Sequence, residues 1–116
     1  MSSITEVPAV QDVAQRLKIL ADPTRLQIFN LLMEGTRCNC ELGDALGFAP
    51  NLISHHLSIL RHAKLVDAER DPIDARWVYY SINGDALAQL RSALDLFFDP
   101  ARIQLRQTDC DARRSE

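Results

Sequence analysis

The chain has 116 residues, with 13 Lys+Arg against 16 Asp+Glu, three cysteines and a net charge of -3, enough for one compact domain with its own core and too little for two. A 47% hydrophobic content with 25% charged residues excludes collagen-like, mucin-like and wholly disordered chains, and no apolar run reaches the roughly 18 to 20 residues of a membrane span. The acidic balance, taken alone, argues against a nucleic-acid partner. The opening MSSITEVPAVQDV has neither a basic start nor a continuous apolar stretch, so a cytoplasmic protein without a signal peptide or membrane partner is expected. An odd cysteine count in that reducing compartment points to metal or redox chemistry rather than a disulfide framework.

Val10, Val13, Leu17 and Leu20 fall at helical spacing and predict a first amphipathic helix. Asp22-Pro23-Thr24 breaks it and opens a second, Thr24 to Met33, apolar around most of its circumference and therefore expected at the centre. Arg37-Cys38-Asn39-Cys40 leads into a short helix, Glu41 to Leu46, stopped by Gly47. Ala49-Pro50-Asn51 then opens a helix running from Leu52 to His62. Two short helices across a turn containing Gly are a helix-turn-helix signature. Leu65 to Arg70 and Arg76 to Ile82 read as a hairpin joined by Asp71-Pro72-Ile73-Asp74-Ala75. Asp85 is the expected cap of a last helix striped by Leu87, Leu90, Leu94, Phe97 and Phe98. The fold class is α+β, mostly helical. A domain over residues 1–100 and a polar extension over 101–116 carrying Cys110 are expected.

On a helix of about 3.6 residues per turn, Asn51, Ser54, His55, Ser58 and His62 share one polar stripe, opposite Ile53, Leu57 and Leu60 with His56 among them. Short side chains rich in donors and acceptors suit base edges in a major groove better than they suit an ordinary solvated face, which more often carries Lys and Glu. Arg61 and Lys64 at the end of that helix, and Arg70 and Arg76 beside the hairpin loop, are cations in reach of phosphates. Asp67, Glu69, Asp71 and Asp74 share the same window and leave it about neutral.

The segments LADPTRLQIFNLL, CNCELGDALGFAPNLISHHLSILRHAKLV and RWVYYSI, in this order, resemble the ArsR/SmtB family of bacterial metal-sensing transcriptional repressors over roughly Val10 to Phe98. The resemblance implies a winged helix-turn-helix with a two-stranded hairpin wing, dimerised through its first and last helices and released from operator double-stranded DNA by metal binding. By it, Asn51, Ser54 and His55 face bases and Arg70 and Arg76 the wing's phosphates, while His56 belongs to packing. The same family places a Cys-x-Cys for arsenic and antimony before this helix-turn-helix, followed by a third Cys. Here Cys38 and Cys40 stand in the first two places and Gly43 in the third.

Independently of the family, thiolates suit thiophilic ions, and a helix N-terminus with Arg37 alongside is expected to favour them. Cys110, in the polar tail QTDCDARRSE, is the candidate third ligand. The last helix has no His for the family's interhelical zinc site, and the helix from Leu52 to His62 has no Cys. The expected function is a homodimeric repressor with As(III) or Sb(III) as inducer and no organic cofactor. A thiol-redox or cadmium/lead-sensing repressor of the same fold is the alternative. No Gly-rich phosphate loop, Cys-x-x-Cys or spaced carboxylate pair suggests an enzyme.

Overall fold

In a computed structural model, residues 10–105 are described. Helix α1 (Val10–Leu20) is followed by α2 (Pro23–Met33), β1 (Arg37–Cys38), α3 (Asn39–Leu46), α4 (Pro50–His62), β2 (Val66–Arg70), β3 (Val78–Ile82) and α5 (Gly84–Phe97), with a 3-10 turn at Pro100–Arg102. All five helices fall where the apolar spacing predicts them, with boundaries moved by one or two residues. The three antiparallel strands are ordered β1-β3-β2. β2 and β3 form the expected hairpin, with Val66 opposite Ile82 and Arg70 opposite Val78. β1 has no counterpart among the expected elements: it pairs Arg37 with Tyr80 and Cys38 with Tyr79, and two residues are too short to show an alternating pattern.

Local chemistry sets the helix ends. Asp22 caps α2, its Oδ1 accepting from the N–H groups of Thr24 at 2.9 Å and Arg25 at 3.1 Å, with Pro23 in the first turn. Gly47 ends α3 at φ 74, the left-handed geometry that a glycine adopts without a Cβ penalty. The last helix is capped by Asn83, whose Oδ1 accepts from Ala86 N–H at 3.0 Å, and not by Asp85, which lies one step inside the first turn.

The core is built where α2, α3 and α4 meet the sheet. Ile28, Leu42, Ile53, Leu57 and Leu60 are fully buried, with Leu65 and Val66 closing it from the wing side. Each such side chain contributes about 1.5 to 3 kcal/mol by leaving water, so one face of α4 is fixed while the other stays exposed. α1 and α5 pack side by side at one end of the domain. A groove of about 1120 Å³ runs between them and the end of α4, and Val10, Leu17, Leu96 and Phe98 leave large apolar surface exposed on and beside these two helices. No helix among the described residues is long and apolar enough to cross a membrane.

Candidate nucleic-acid interface and thiol site

Helix α4 divides as its sequence requires. Ile53, His56, Leu57 and Leu60 are buried, whereas Asn51, Ser54, His55, Ser58, Arg61 and His62 are all exposed. α3 supports this exposed face: Asn39 Nδ2, in its first turn, donates to Ser54 Oγ and to Pro50 O at 3.4 Å. The His62 ring lies 3.0 Å from Ser58 O through Nδ1, so His62 is partly committed to its own helix. Ser54, Ser58, Arg61 and Lys64 line a cleft of about 490 Å³ that Tyr80 closes from the sheet.

His56 is a packing residue, as the sequence suggests, but a polar one. Its Nδ1 lies 3.3 Å from Arg25 NH1, and Arg25 Nε donates to Ile19 O at 2.6 Å, so α1, α2 and α4 are joined through one guanidinium. An arginine is always a donor, which fixes Nδ1 as the acceptor and puts the ring proton on Nε2. Burial pushes the His56 pKa below its ordinary value of 6.5, Asp22 opposing and the Arg25 charge adding.

The wing carries its two expected arginines differently. Arg70 NH1 donates to Ala75 O at 2.7 Å, and no carboxylate among the described residues forms a salt bridge with it. Arg76 is held in a fork by Asp74, with Nε 2.9 Å from Oδ1 and NH2 2.7 Å from Oδ2. The loop is otherwise organised by Asp71 Oδ1, which accepts from the N–H groups of Ile73 and Asp74.

Cys38 and Cys40 are brought together at the start of α3. Cys38 is the N-cap and is buried, and Cys40, one residue into the helix, is exposed. The two residues are separated by Asn39 alone and stand on the same first turn. Glu41 closes the turn by accepting the Cys38 N–H at 2.9 Å, and that bond holds its carboxyl below the usual range. The expectation of a favoured thiolate is reversed for Cys38: burial pushes its thiol up to about 11, and the neighbouring Cys40 adds to the shift. Arg37 is turned away, bonded to Leu31 O at 3.4 Å and paired with Glu34 at 3.6 Å.

Gly43 is buried where α3 meets the following turn, and a Cβ there would stand 3.1 Å from Phe48 O. A side chain at this position requires the turn to give by a few tenths of an ångström. Among the described residues no group of three or more His, Cys, Asp or Glu side chains is placed to hold one metal ion. Cys110 lies outside the described residues.

A helix-turn-helix whose second helix shows a polar face beside a β-hairpin defines the winged-helix class of DNA-binding proteins. Residues 22–68 match the family described as bacterial regulatory protein, arsR family. The arsenical resistance operon repressor of Bacillus subtilis is 32% identical over 89 residues, 76% of this chain and 82% of that one. A cadmium resistance regulatory protein homolog of Staphylococcus aureus is 31% identical over 80 residues, 68% and 64% of the two chains. The crystal structure of a possible transcriptional regulator for arsenical resistance superposes with a TM-score of 0.62 at 29% identity, covering 86% of this chain and 95% of that one. The chain belongs to the arsR family and is a transcriptional repressor of the ArsR/SmtB type.

Proposed function

We propose that this chain is a homodimeric operator-binding repressor released by trivalent arsenic or antimony at Cys38 and Cys40. Asn51, Ser54, His55 and Ser58 read base edges, Arg61, His62, Arg70 and Arg76 hold phosphates, and residues 1–100 form the DNA-binding and dimerisation domain. The observation that carries the reading is the pair of free cysteines at the first turn of the helix that positions α4. Asn39 stands between these cysteines and bonds Ser54 on the exposed face of α4, so a shift of this turn is passed to the DNA-reading helix directly. Cys110, on the 101–116 extension, is assigned as the third sulfur. The exposed apolar surface of α1 and α5 is assigned to the dimer contact.

A protonated, buried Cys38 gives arsenite and a divalent soft cation different proton balances. Arsenite is a neutral trihydroxide. For each thiol bound, an As–OH bond breaks and an As–S bond forms, and the thiol proton leaves with the hydroxide as water. A divalent cation brings no hydroxide and must expel the Cys38 proton into solution, which costs about tenfold in affinity per pH unit below the thiol pKa. The B. subtilis relative, named for arsenical resistance, supports the same inducer.

A panel of arsenite, antimonite, cadmium, lead and peroxide against DNA bound by the apo protein tests the reading. Release by arsenite and antimonite at concentrations where cadmium and lead are silent is expected. Release by peroxide alone would establish the redox alternative instead.

A further inference from the structure

The chain carries a carboxylate in the place where its wing would take a phosphate. Arg76 is the more exposed member of the wing's ion pair, its side chain 87% exposed, and Asp74 holds the Nε–NH2 edge of its guanidinium in one fork. Carboxylate and phosphate oxygens ask for the same planar pair of donors. Asp74 is itself fixed: its own N–H is bonded to Asp71 Oδ1, and its Oδ1 also accepts the Arg76 N–H at 3.1 Å. The fork therefore presents a neutral pair, and of the two wing arginines Arg70 is the one without a salt bridge to a carboxylate among the described residues.

We propose that Asp74 is an affinity-setting residue that acts through Arg76, occupying the guanidinium as a phosphate mimic and weakening the grip of the wing on DNA. Exposed ion pairs are weakly held and screened by salt, so a phosphate displaces Asp74 at the cost of bringing an uncompensated carboxylate beside the DNA backbone. The consequence is a repressor with low non-specific affinity, which helps an inducer of modest coupling to release it. This rests on the reading of the chain as a DNA-binding protein.

The test is fluorescence anisotropy on a random-sequence duplex at several salt concentrations, with wild type, Asp74→Asn, Arg76→Gln and the double variant. Asn keeps the Oδ1 acceptor for the Arg76 N–H, and Trp77, the single tryptophan, reports whether the wing is intact. One more phosphate neutralised by the wing steepens the salt dependence by about 0.9, corresponding to roughly 8-fold tighter binding at about 0.1 M salt. That tightening is expected for Asp74→Asn and is expected to vanish in the Arg76→Gln background. Unchanged or weaker binding by Asp74→Asn overturns the proposal, as does an equal tightening without Arg76. No binding by wild type at low salt overturns the DNA-binding reading as well.

Discussion

Arg25 and His56 meet across 3.3 Å between α2 and the buried face of α4, with the guanidinium also bonded to the last turn of α1. The contact requires neutral His56. Protonating Nδ1 replaces an acceptor with a donor and sets two cations against each other in a half-dry site. Unfolded, the imidazole takes up its proton at about 6.5; folded, burial lowers that value. The unfolded state binds more protons between the two, so this contribution to stability is whole above pH 6.5 and is lost as pH falls through the folded pKa. Urea denaturation from pH 8 to pH 5 is expected to show a steeper loss of stability for wild type than for His56→Gln. Parallel pH profiles would assign the acid sensitivity elsewhere.

Lys64 is the one non-glycine residue of the described chain with positive φ, at 62. It terminates α4, donating its N–H to Arg61 O at 2.9 Å while Leu65 N–H reaches back to Leu60 O at 3.0 Å. A side chain in this conformation costs roughly 1 to 2 kcal/mol, and the ammonium stands at the rim of the cleft that Ser54 and Ser58 line. Lys64→Gly is expected to raise stability by about 1 kcal/mol and to weaken DNA binding at low salt. A variant more stable with unaltered DNA affinity would show the strain to have no part in binding.

The two kinds of DNA contact separate by sequence dependence. Ser54→Ala and His55→Ala remove two of the proposed base readers, each expected to cost about 1 to 3 kcal/mol on the selected operator and little on random duplex. Arg70→Gln is expected to weaken both equally and to lower the salt slope by about 1. Competition binding with operator and random duplex measures both. A uniform loss from His55→Ala would move that residue from the base edges to the backbone.

Proton balance distinguishes the proposed inducers. Calorimetry of the apo protein in two buffers of different ionisation enthalpy is expected to find no net proton release with arsenite, and at least one proton per site with cadmium, from Cys38. Uptake of a proton on arsenite binding, as displaced hydroxide is neutralised, would mean that Cys38 is already a thiolate, against its buried position.

Much of this arrangement is written in local pattern. The apolar spacing locates α1 to α5, and the division of α4 into a buried face with Ile53 and Leu57 and an exposed one with Asn51 and His55 follows from periodicity alone. What periodicity does not supply is pairing. β1 is two residues long and pairs Cys38 with Tyr79, and burial of that thiol turns its pKa opposite to what a helix N-terminus implies. Asn83 and Asp85 are both good caps by type, and only the backbone geometry at the end of β3 chooses between them. Asp74 and Arg76 stand as opposite charges two residues apart, but a turn is needed to bring them into contact.

The central claim is that a thiophilic inducer at Cys38 and Cys40 lowers DNA affinity. The direct measurement is the dissociation constant for an operator selected by the apo protein, with and without saturating arsenite, for wild type, Cys38→Ser, Cys40→Ser and Cys110→Ser. A coupling of about 1 to 3 kcal/mol corresponds to roughly 5- to 150-fold weaker binding by wild type. Loss of this response in Cys38→Ser and Cys40→Ser is expected, with a shifted dose response in Cys110→Ser. Operator affinity unchanged at saturating arsenite, or a full response surviving without Cys38 and Cys40, would contradict it.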